Sequence, residues 1–414
     1  MTLPDVVVIG AGMVGAACAY YASRAGLAVT VLDRGPIAGG TTAAGVGNLM
    51  VSDKPPGPYL DLAVYSLRRW EELGGELGAA TIELVRKGGL AVAAAASELA
   101  ALAHVSGRQR SAGVDVVEVT PDELPGYEPL IARNLAGGVF YPQDMHVHPA
   151  LATAHLLRAS GARVRCGVDV RGVDLDPGMR VIGVRLAGGD RIACGAVVNS
   201  AGVWAGDLAA MTGTPLPVTP RRGLVLVTEP VGAPRDGSRA PAGDQPVVRH
   251  TVYGTGYAAT VDSDDLAPGA STVVVATRAG TVLIGASREQ VGFDRSWPLP
   301  ILRRLAAQAV ALLPFLAQVS ALRAYRGFRP ATPDHLPVIG PDPWIGGLYH
   351  ACGHGGSGIA LAPATGALIA RMLTAAPAPV PASNSAAGST SATDDWPVDP
   401  FPFHPERFGS GWAR

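Results

Sequence analysis

Apolar residues along the chain recur at two spacings, and the switches between them outline its elements. Val6-Val-Val-Ile9 is an unbroken apolar run, and Ala28-Val-Thr-Val-Leu32 is nearly one, so each predicts a strand buried on both faces. Within 59–77, Leu60, Ala63, Val64, Leu67, Trp70 and Leu73 stand at helical spacing. Further helices are predicted near 93–103, over 149–160 and over 299–315. Strands are predicted over 162–173, 180–186 and 191–199, and a strand-rich region over 215–295 is broken by Gly/Pro/Asp loops around 230–246 and 262–270. The stretch 375–394, rich in Ala, Pro and Ser, reads as a flexible linker. Beyond it Trp396, Phe401, Phe403 and Phe408 crowd a short tail, which predicts that it docks on the body or touches a partner.

The first strand runs into Gly10, Gly12 and Gly15, and Asp33 ends the next strand eighteen residues later. A strand–turn–helix with this spacing receives a pyrophosphate: the first glycine permits the tight turn, the second leaves room for phosphate, the third lets helix and strand pack closely. The helix N-terminus offers N–H groups and a positive dipole end, and Asp33 stands where a carboxylate bonds ribose hydroxyls. The motif leaves NAD and FAD both open. Gly39-Gly-Thr-Thr42 opens a loop of small residues suited to close backbone approach, and the strand at 191–199 runs into Ser200-Ala-Gly-Val-Trp204. Dinucleotide-type features therefore stand at the beginning, middle and end of the chain, with two strand-rich inserts between them. An NAD dehydrogenase usually completes its nucleotide domain in one stretch; this domain is interrupted twice.

At 414 residues the chain has length for two domains, and 48% hydrophobic with 16% charged residues is a globular balance. A net charge of −1 gives no electrostatic reason for nucleic acid or an anionic membrane as partner. Lys54 and Lys87 are the only lysines, which argues against Schiff-base chemistry. Cys18, Cys166, Cys194 and Cys352 are far apart without C-x-x-C spacing; the first three read as small core residues, and no iron–sulfur or zinc site can be built from the four. His146-x-His148 lacks neighbouring ligands, so no metal is expected. No segment reaches 18 uninterrupted apolar residues and no basic region precedes the first strand, so neither a membrane span nor a leader is expected, and a cytoplasmic setting fits best.

Taken together, Gly10-x-Gly-x-x-Gly15 with Asp33-Arg34, Gly40-Thr-Thr42, Val197-Val-Asn-Ser-Ala-Gly-Val-Trp204, Gly327-Phe-Arg-Pro330 with Pro337-x-Ile-Gly340, and Gly353-His-x-x-x-Gly-Ile359 resemble the FAD-dependent D-amino-acid oxidase superfamily. Gly47-Asn-Leu-Met-Val-Ser-Asp-Lys54, Ala351-Cys-Gly-His354 and Leu361-Ala-Pro-Ala-Thr-Gly366 resemble one branch, which holds the β subunits of D-hydroxyproline dehydrogenase, the B subunits of opine oxidase and the C subunits of hydrogen cyanide synthase. The resemblance implies an α/β fold: a discontinuous Rossmann-like FAD-binding domain (1–80, 145–214, 325–374) and a mixed-sheet α+β substrate-binding domain (81–144, 215–324), then a linker (375–395) and a tail (396–414).

It also implies roles. Met13 and Val14 would lie beneath the FAD pyrophosphate, Asp33 beside the adenosine ribose with Arg34 next to it, and Thr41 and Thr42 near the phosphates and ribityl chain. The same two threonines could instead cap the segment that follows. Gly47 and Asn48 would pass the isoalloxazine, Val170 the adenine, and Gly202 the turn facing the cofactor. Gly353, His354, Gly355, Gly356, Ser357, Gly358 and Ile359 would wrap the pyrimidine end of the flavin, His354 standing either as a base or as a structural histidine. Arg329 would pair the substrate carboxylate, with Tyr325 beside it, and His250, Tyr253 and Tyr257 are substrate-side candidates. Some relatives carry a second basic residue in the Gly-His loop; here it reads Gly355-Gly356-Ser357, which puts a second carboxylate contact in doubt. Cys352 reads as unattached to flavin.

The implied activity is hydride transfer from the Cα–H of a small amino or imino acid, such as D-hydroxyproline or D-proline, to flavin N5. The chain would be the flavin subunit of a dehydrogenase, joined in a hetero-oligomer to an α subunit carrying further redox centres. One alternative is a self-sufficient oxidase of the glycine, sarcosine or D-amino-acid type that releases hydrogen peroxide. Another is a flavin-binding assembly subunit without turnover.

Overall fold

The computed structural model of the protein describes residues 3–232, 246–257, 269–375 and 396–409. The linker expected over 375–395 lies outside the described residues except for its first position, as do most of the expected loops at 230–246 and 262–270 and the last five residues of the tail.

A six-stranded sheet is ordered Val338–Pro341, Leu348–Cys352, Ala196–Asn199, Val6–Ile9, Val29–Asp33, Arg163–Cys166. Its neighbours pair in parallel except the Val338–Pro341 edge. The first strand lies centrally, and its alternation divides two cores. Val6 and Val8 pack among the helices Met13–Arg24, Pro149–Ser160 and Gly358–Thr374, while Val7 and Ile9 pack toward a three-stranded sheet containing Val170–Leu175 and Val181–Leu186. This is why the run shows no polar position: both faces are covered.

An eight-stranded mixed sheet runs Ala321–Ala331, Thr219–Pro230, Thr281–Arg288, Gly269–Ala276, Thr251–Gly254, Gly89–Ala93, Gly137–Tyr141, Val117–Val119. The helix Leu299–Leu312 covers it, with Ile301, Leu305 and Ala309 turned inward. The architecture is α/β with mixed sheets, as the resemblance implied.

Several expectations shift in detail. The single strand expected over 162–173 is two, Arg163–Cys166 in the parallel sheet and Val170–Leu175 in the three-stranded one. The strand expected over 191–199 also divides between those sheets, with Gly195 at the break. The helix expected near 93–103 starts at Ala96, because Gly89–Ala93 is taken up as a buried strand. Cys166 is exposed rather than core; the other three cysteines are buried.

The tail docks on the body. Phe403 is fully buried, Arg371 lies 4.3 Å over the Trp396 ring, and Arg407 Nε donates to Asp334 at 2.6 Å. Among the described residues no helix is long and apolar enough to cross a membrane.

Candidate functional site

Gly10 adopts φ +116°, a backbone conformation open to glycine, as the first strand leaves the sheet. The helix Met13–Arg24 begins at once, and it packs so closely that a Cβ on Gly15 would overlap the Gly10 carbonyl and stand 2.7 Å from Ser200 Oγ. Asp33 is locked by two backbone donors, Ala11 N–H to Oδ2 and Gly35 N–H to Oδ1, each at 2.7 Å. Thr42 Oγ1 accepts from Met13 N–H at 3.0 Å, so it caps this first helix from across the loop rather than the segment following it. Thr41 Oγ1 donates to the Phe328 carbonyl at 2.7 Å, tying the Gly-Thr-Thr loop to the strand that carries Arg329.

Gly10, Met13, Asp33, Thr41 and Thr42 line one cavity of about 400 Å³. Gly10, Gly12, Met13, Val14, Asp33, Arg34, Thr41, Thr42, Val170 and Gly202 form its wall toward the parallel sheet. Arg34 lies 4.1 Å over the Trp204 ring, which is itself part of the wall. The loop Gly353, His354, Gly355, Gly356, Ser357, Gly358, Ile359 forms another stretch of it, at the start of the helix Gly358–Thr374. Asp53, Tyr257, Arg221, Arg288 and Arg329 complete the wall on the side of the eight-stranded sheet.

Strand alternation explains that last side. On Thr219–Pro230, Arg221, Gly223 and Val225 face the cavity, while Leu224 and Leu226 face the helix-covered core. Arg329 lies directly opposite Arg221 in the antiparallel register. Its Nη1 donates to the Ser287 carbonyl at 3.0 Å and reaches the Arg222 carbonyl at 3.5 Å, which steers the guanidinium along the wall. Burial, with Arg288 and Arg221 near it, pushes the Arg329 guanidinium down to about 10. Arg288 lies 4.9 Å over the Tyr257 ring. Tyr257 is raised by burial and lies within electrostatic reach of Arg288, Asp53 and Arg329.

Other predicted residues stand elsewhere. The structure turns His354's ring away from the cavity: it is 2% exposed and Nε2 meets Thr365 Oγ1 at 2.9 Å. Burial pushes it down to about 3, so it stays neutral and has no access as a catalytic base, although its loop lines the cavity. His250 is held by Glu128, with Nδ1 3.0 Å from Oε1, and packs edge-on against Phe140 at 5.1 Å; it is not in the cavity wall. Tyr253 is 1% exposed and lies behind Tyr257, ring centroids 5.4 Å apart. Tyr325 also lies off the wall, beneath Arg323, burial pushing its hydroxyl up to about 12. Gly15, Gly47 and Asn48 are not part of the wall: Gly15 seats the helix, and Asn48 pairs with His146 across a short two-stranded sheet, both polar atoms of its side chain buried without a partner among the described residues. Asp53, Arg221 and Arg288 are wall residues that patterning missed. Asp53 stood inside the quoted Gly47–Lys54 motif; the two arginines carried no motif at all.

Cys352 lies on the wall as a buried thiol that burial raises to about 12, which leaves no thiolate for a covalent bond to flavin. The cavity fits a dinucleotide. Its wall at Gly12, Gly355 and Gly356 is bare backbone, and a Cβ on Gly355 would project into open space. A carboxylate fixed at Asp33 lies beyond the first helix's N-terminus. A Rossmann-type sheet whose glycine turn opens on a cavity of this kind is the construction of a dinucleotide-dependent oxidoreductase.

The comparisons with known proteins give the particular family. The DAO family of FAD-dependent oxidoreductases matches residues 5–372, and this chain belongs to it. The chain is 29% identical to hydrogen cyanide synthase subunit HcnC of Pseudomonas aeruginosa, over 89% of this chain and 92% of that one. It is 30% identical to a glycine oxidase of Pseudomonas putida, over 90% and 95% respectively. The crystal structure of glycine oxidase from Geobacillus kaustophilus superposes with a TM-score of 0.80 at 26% identity, covering 98% of this chain and 99% of the other. The protein is an FAD-dependent oxidoreductase acting on carbon–nitrogen donors.

Proposed function

We propose that this chain oxidises a small amino or imino acid at its Cα–H, with D-proline and D-hydroxyproline among the candidates, as the flavin subunit of a dehydrogenase. The observation that carries the reading is the meeting of Arg329 with the Gly-His loop. A Cβ on Gly356 would lie 3.6 Å from Arg329 Nε, so a carboxylate-binding fork lies directly against the loop that resembles the family's flavin-wrapping segment. Bound FAD supplies the hydride acceptor. Gly10 to Val14, Asp33, Thr41, Val170, Gly202 and the backbone from Gly353 to Ile359 would hold it.

The chain's own residues supply binding and orientation. Arg329 holds the α-carboxylate through parallel charge-assisted N–H bonds, which fixes the direction of the Cα–H. Ser287's carbonyl holds the fork in place before substrate arrives, so little ordering remains at the moment of binding. Asp53, with Oδ1 2.6 Å from Lys54 Nζ, gives the substrate ammonium an acidic partner on the same wall. Oxidation needs the amine neutral, so the ammonium gives its proton to solvent water before hydride transfer. Proximity and orientation are the catalytic effect assigned to the protein.

Anaerobic mixing of the flavin-loaded protein with D-proline, D-hydroxyproline, glycine, sarcosine and opines tests this: at least one should abolish the oxidised-flavin absorbance. If none does, and Arg329→Gln leaves the binding of all of them unchanged, the reading is wrong. The glycine oxidase relatives favour a second reading, direct use of dioxygen. Peroxide release by the isolated chain supports that reading; silence with oxygen but turnover with an artificial dye supports the dehydrogenase subunit.

A further inference from the structure

The two carbonyls that steer Arg329 stand where the sheet falls out of step. Arg222 is bridged to Glu289, just beyond the strand Thr281–Arg288, by backbone bonds in both directions at 2.9 and 3.0 Å. Regular register begins again at Leu226 with Ile284, so residues 223–225 of one strand face 285–288 of the other, an extra residue on the second. Within this irregular stretch Leu224 N–H donates to the Ser287 hydroxyl at 3.0 Å. Arg329 Nη1 donates to the Ser287 carbonyl at 3.0 Å and reaches the Arg222 carbonyl at 3.5 Å. A buried ion pair holds both acceptors. Arg222 Nη2 and Nε meet Glu289 Oε2 and Oε1 at 2.6 and 3.3 Å. Arg222 Nη1 donates to Asp294 Oδ2 at 2.7 Å and to Ser296 Oγ at 3.0 Å. Glu289 Oε1 also accepts from Ser287 Oγ at 3.0 Å. Arg222, Glu289 and Ser287 are all buried, and none of the three lines the cavity.

Resting on the assignment of Arg329 to the substrate carboxylate, we propose that Arg222 and Glu289 are positioning residues that set the direction of the Arg329 fork. Glu289 fixes the Ser287 hydroxyl, and with it the residue whose carbonyl Arg329 bonds. Arg222 clamps Glu289 and brings its own carbonyl as the second acceptor. Neither touches the substrate. A buried ion pair adds little stability over apolar side chains of like volume, so what this one supplies is a fixed geometry. A two-bond carboxylate contact needs the guanidinium plane in one orientation. An error in its seat is therefore felt both as weaker binding and as poorer alignment of the Cα–H. The negative charge of Glu289 also favours the charged form of Arg329.

A double-mutant cycle separates positioning from mere support of the fold. Glu289→Gln, Arg329→Gln and the double variant are loaded with flavin and mixed anaerobically with a compound of the panel above that bleaches the wild type. The dependence of bleaching rate on concentration gives a limiting rate and an apparent Kd. Glu289→Gln should lower their ratio about tenfold or more, with flavin content at the wild-type level. In the Arg329→Gln background the same substitution should change it by less than about twofold, because the group it positions is gone. Wild-type behaviour of Glu289→Gln overturns the proposal, as does an equal loss in both backgrounds. If Glu289→Gln holds too little flavin to measure, Ser287→Ala, which removes the hydroxyl and keeps the carbonyl, enters the same cycle. Its expected loss is about threefold or more, again confined to the Arg329 background, and the same two results overturn the proposal. A loss in Arg329→Gln that the positioning variants do not share leaves the amino-acid reading standing without this role. Arg329→Gln without effect, or a panel in which nothing bleaches the flavin, removes both.

Discussion

Gly223 leaves the space in which the Arg329 guanidinium lies. A Cβ at that position would overlap Nη1 and stand 2.7 Å from Cζ, so the strand next to Arg329 must carry glycine for the fork to run along the wall. Gly223→Ala should therefore displace Arg329 while keeping the sheet, since alanine fits a strand backbone. A shift of about 1 Å in a positioning group costs about 100-fold. We expect kcat/KM to fall by roughly 10- to 100-fold with flavin content unchanged; wild-type kinetics in Gly223→Ala would refute the placement.

Arg329→Gln removes the fork and leaves a substrate carboxylate facing polar atoms without the charge. The loss should be roughly 2–5 kcal/mol, about 30-fold or more in kcat/KM. Arg329→Lys should recover only part of it, because an ammonium cannot make the two parallel bonds. Equal activity of the lysine and arginine forms would show that charge alone suffices.

The docked tail should stabilise the body. Phe403 is fully buried, and Phe403→Ala is expected to cost about 3–5 kcal/mol, visible as a lower Tm. Arg407 bonds Asp334 and donates to the Leu336 carbonyl at 2.9 Å, beside Thr332 and His335 of the cavity wall. Weaker retention of FAD should accompany the lower Tm. A Tm unchanged by Phe403→Ala would show that the tail merely rests on the surface.

Acid should destabilise the fold through histidines buried neutral. His354 and His146 are each lowered from 6.5 to about 3 by burial. A folded pKa below the unfolded one contributes stability above about 6.5 that is lost progressively as the pH falls toward about 3. His354→Gln keeps a donor for Thr365 and removes one titrating ring. Its Tm should fall less steeply than wild type between about pH 6.5 and 4.5, and parallel slopes would count against a neutral buried imidazole. The kcat/KM profile near neutrality should show no ionisation belonging to His354.

Legibility in the sequence followed the range of the cause. Gly10, Gly12, Gly15 and Asp33 were readable because a turn, a close approach and a strand end are local constraints, satisfied within one strand–helix–strand unit. The helices Pro58–Leu77 and Pro149–Ser160 were readable because one apolar face repeats along each. The division of 162–173 between two sheets was not, since nothing local tells a residue which sheet its strand will join. His250, Tyr253 and Tyr325 were chosen for chemical type, and type is silent about direction: Glu128 captures the first, Tyr257 covers the second, and the third lies off the wall under Arg323.

By itself the amino-acid sequence determined a nucleotide-binding βαβ unit, its small-residue companions, and one arginine in a recognisable setting. Only the tertiary structure decided which side chains share the cavity with that arginine. Arg221 and Arg288 stand 108 and 41 residues before Arg329, and each looks like an ordinary strand residue in its own segment. They meet because antiparallel register and the two-residue alternation of adjoining strands turn all three to one face. A slip of one residue would have pointed them into the opposite layer, and that choice is made by how whole sheets bury their apolar faces.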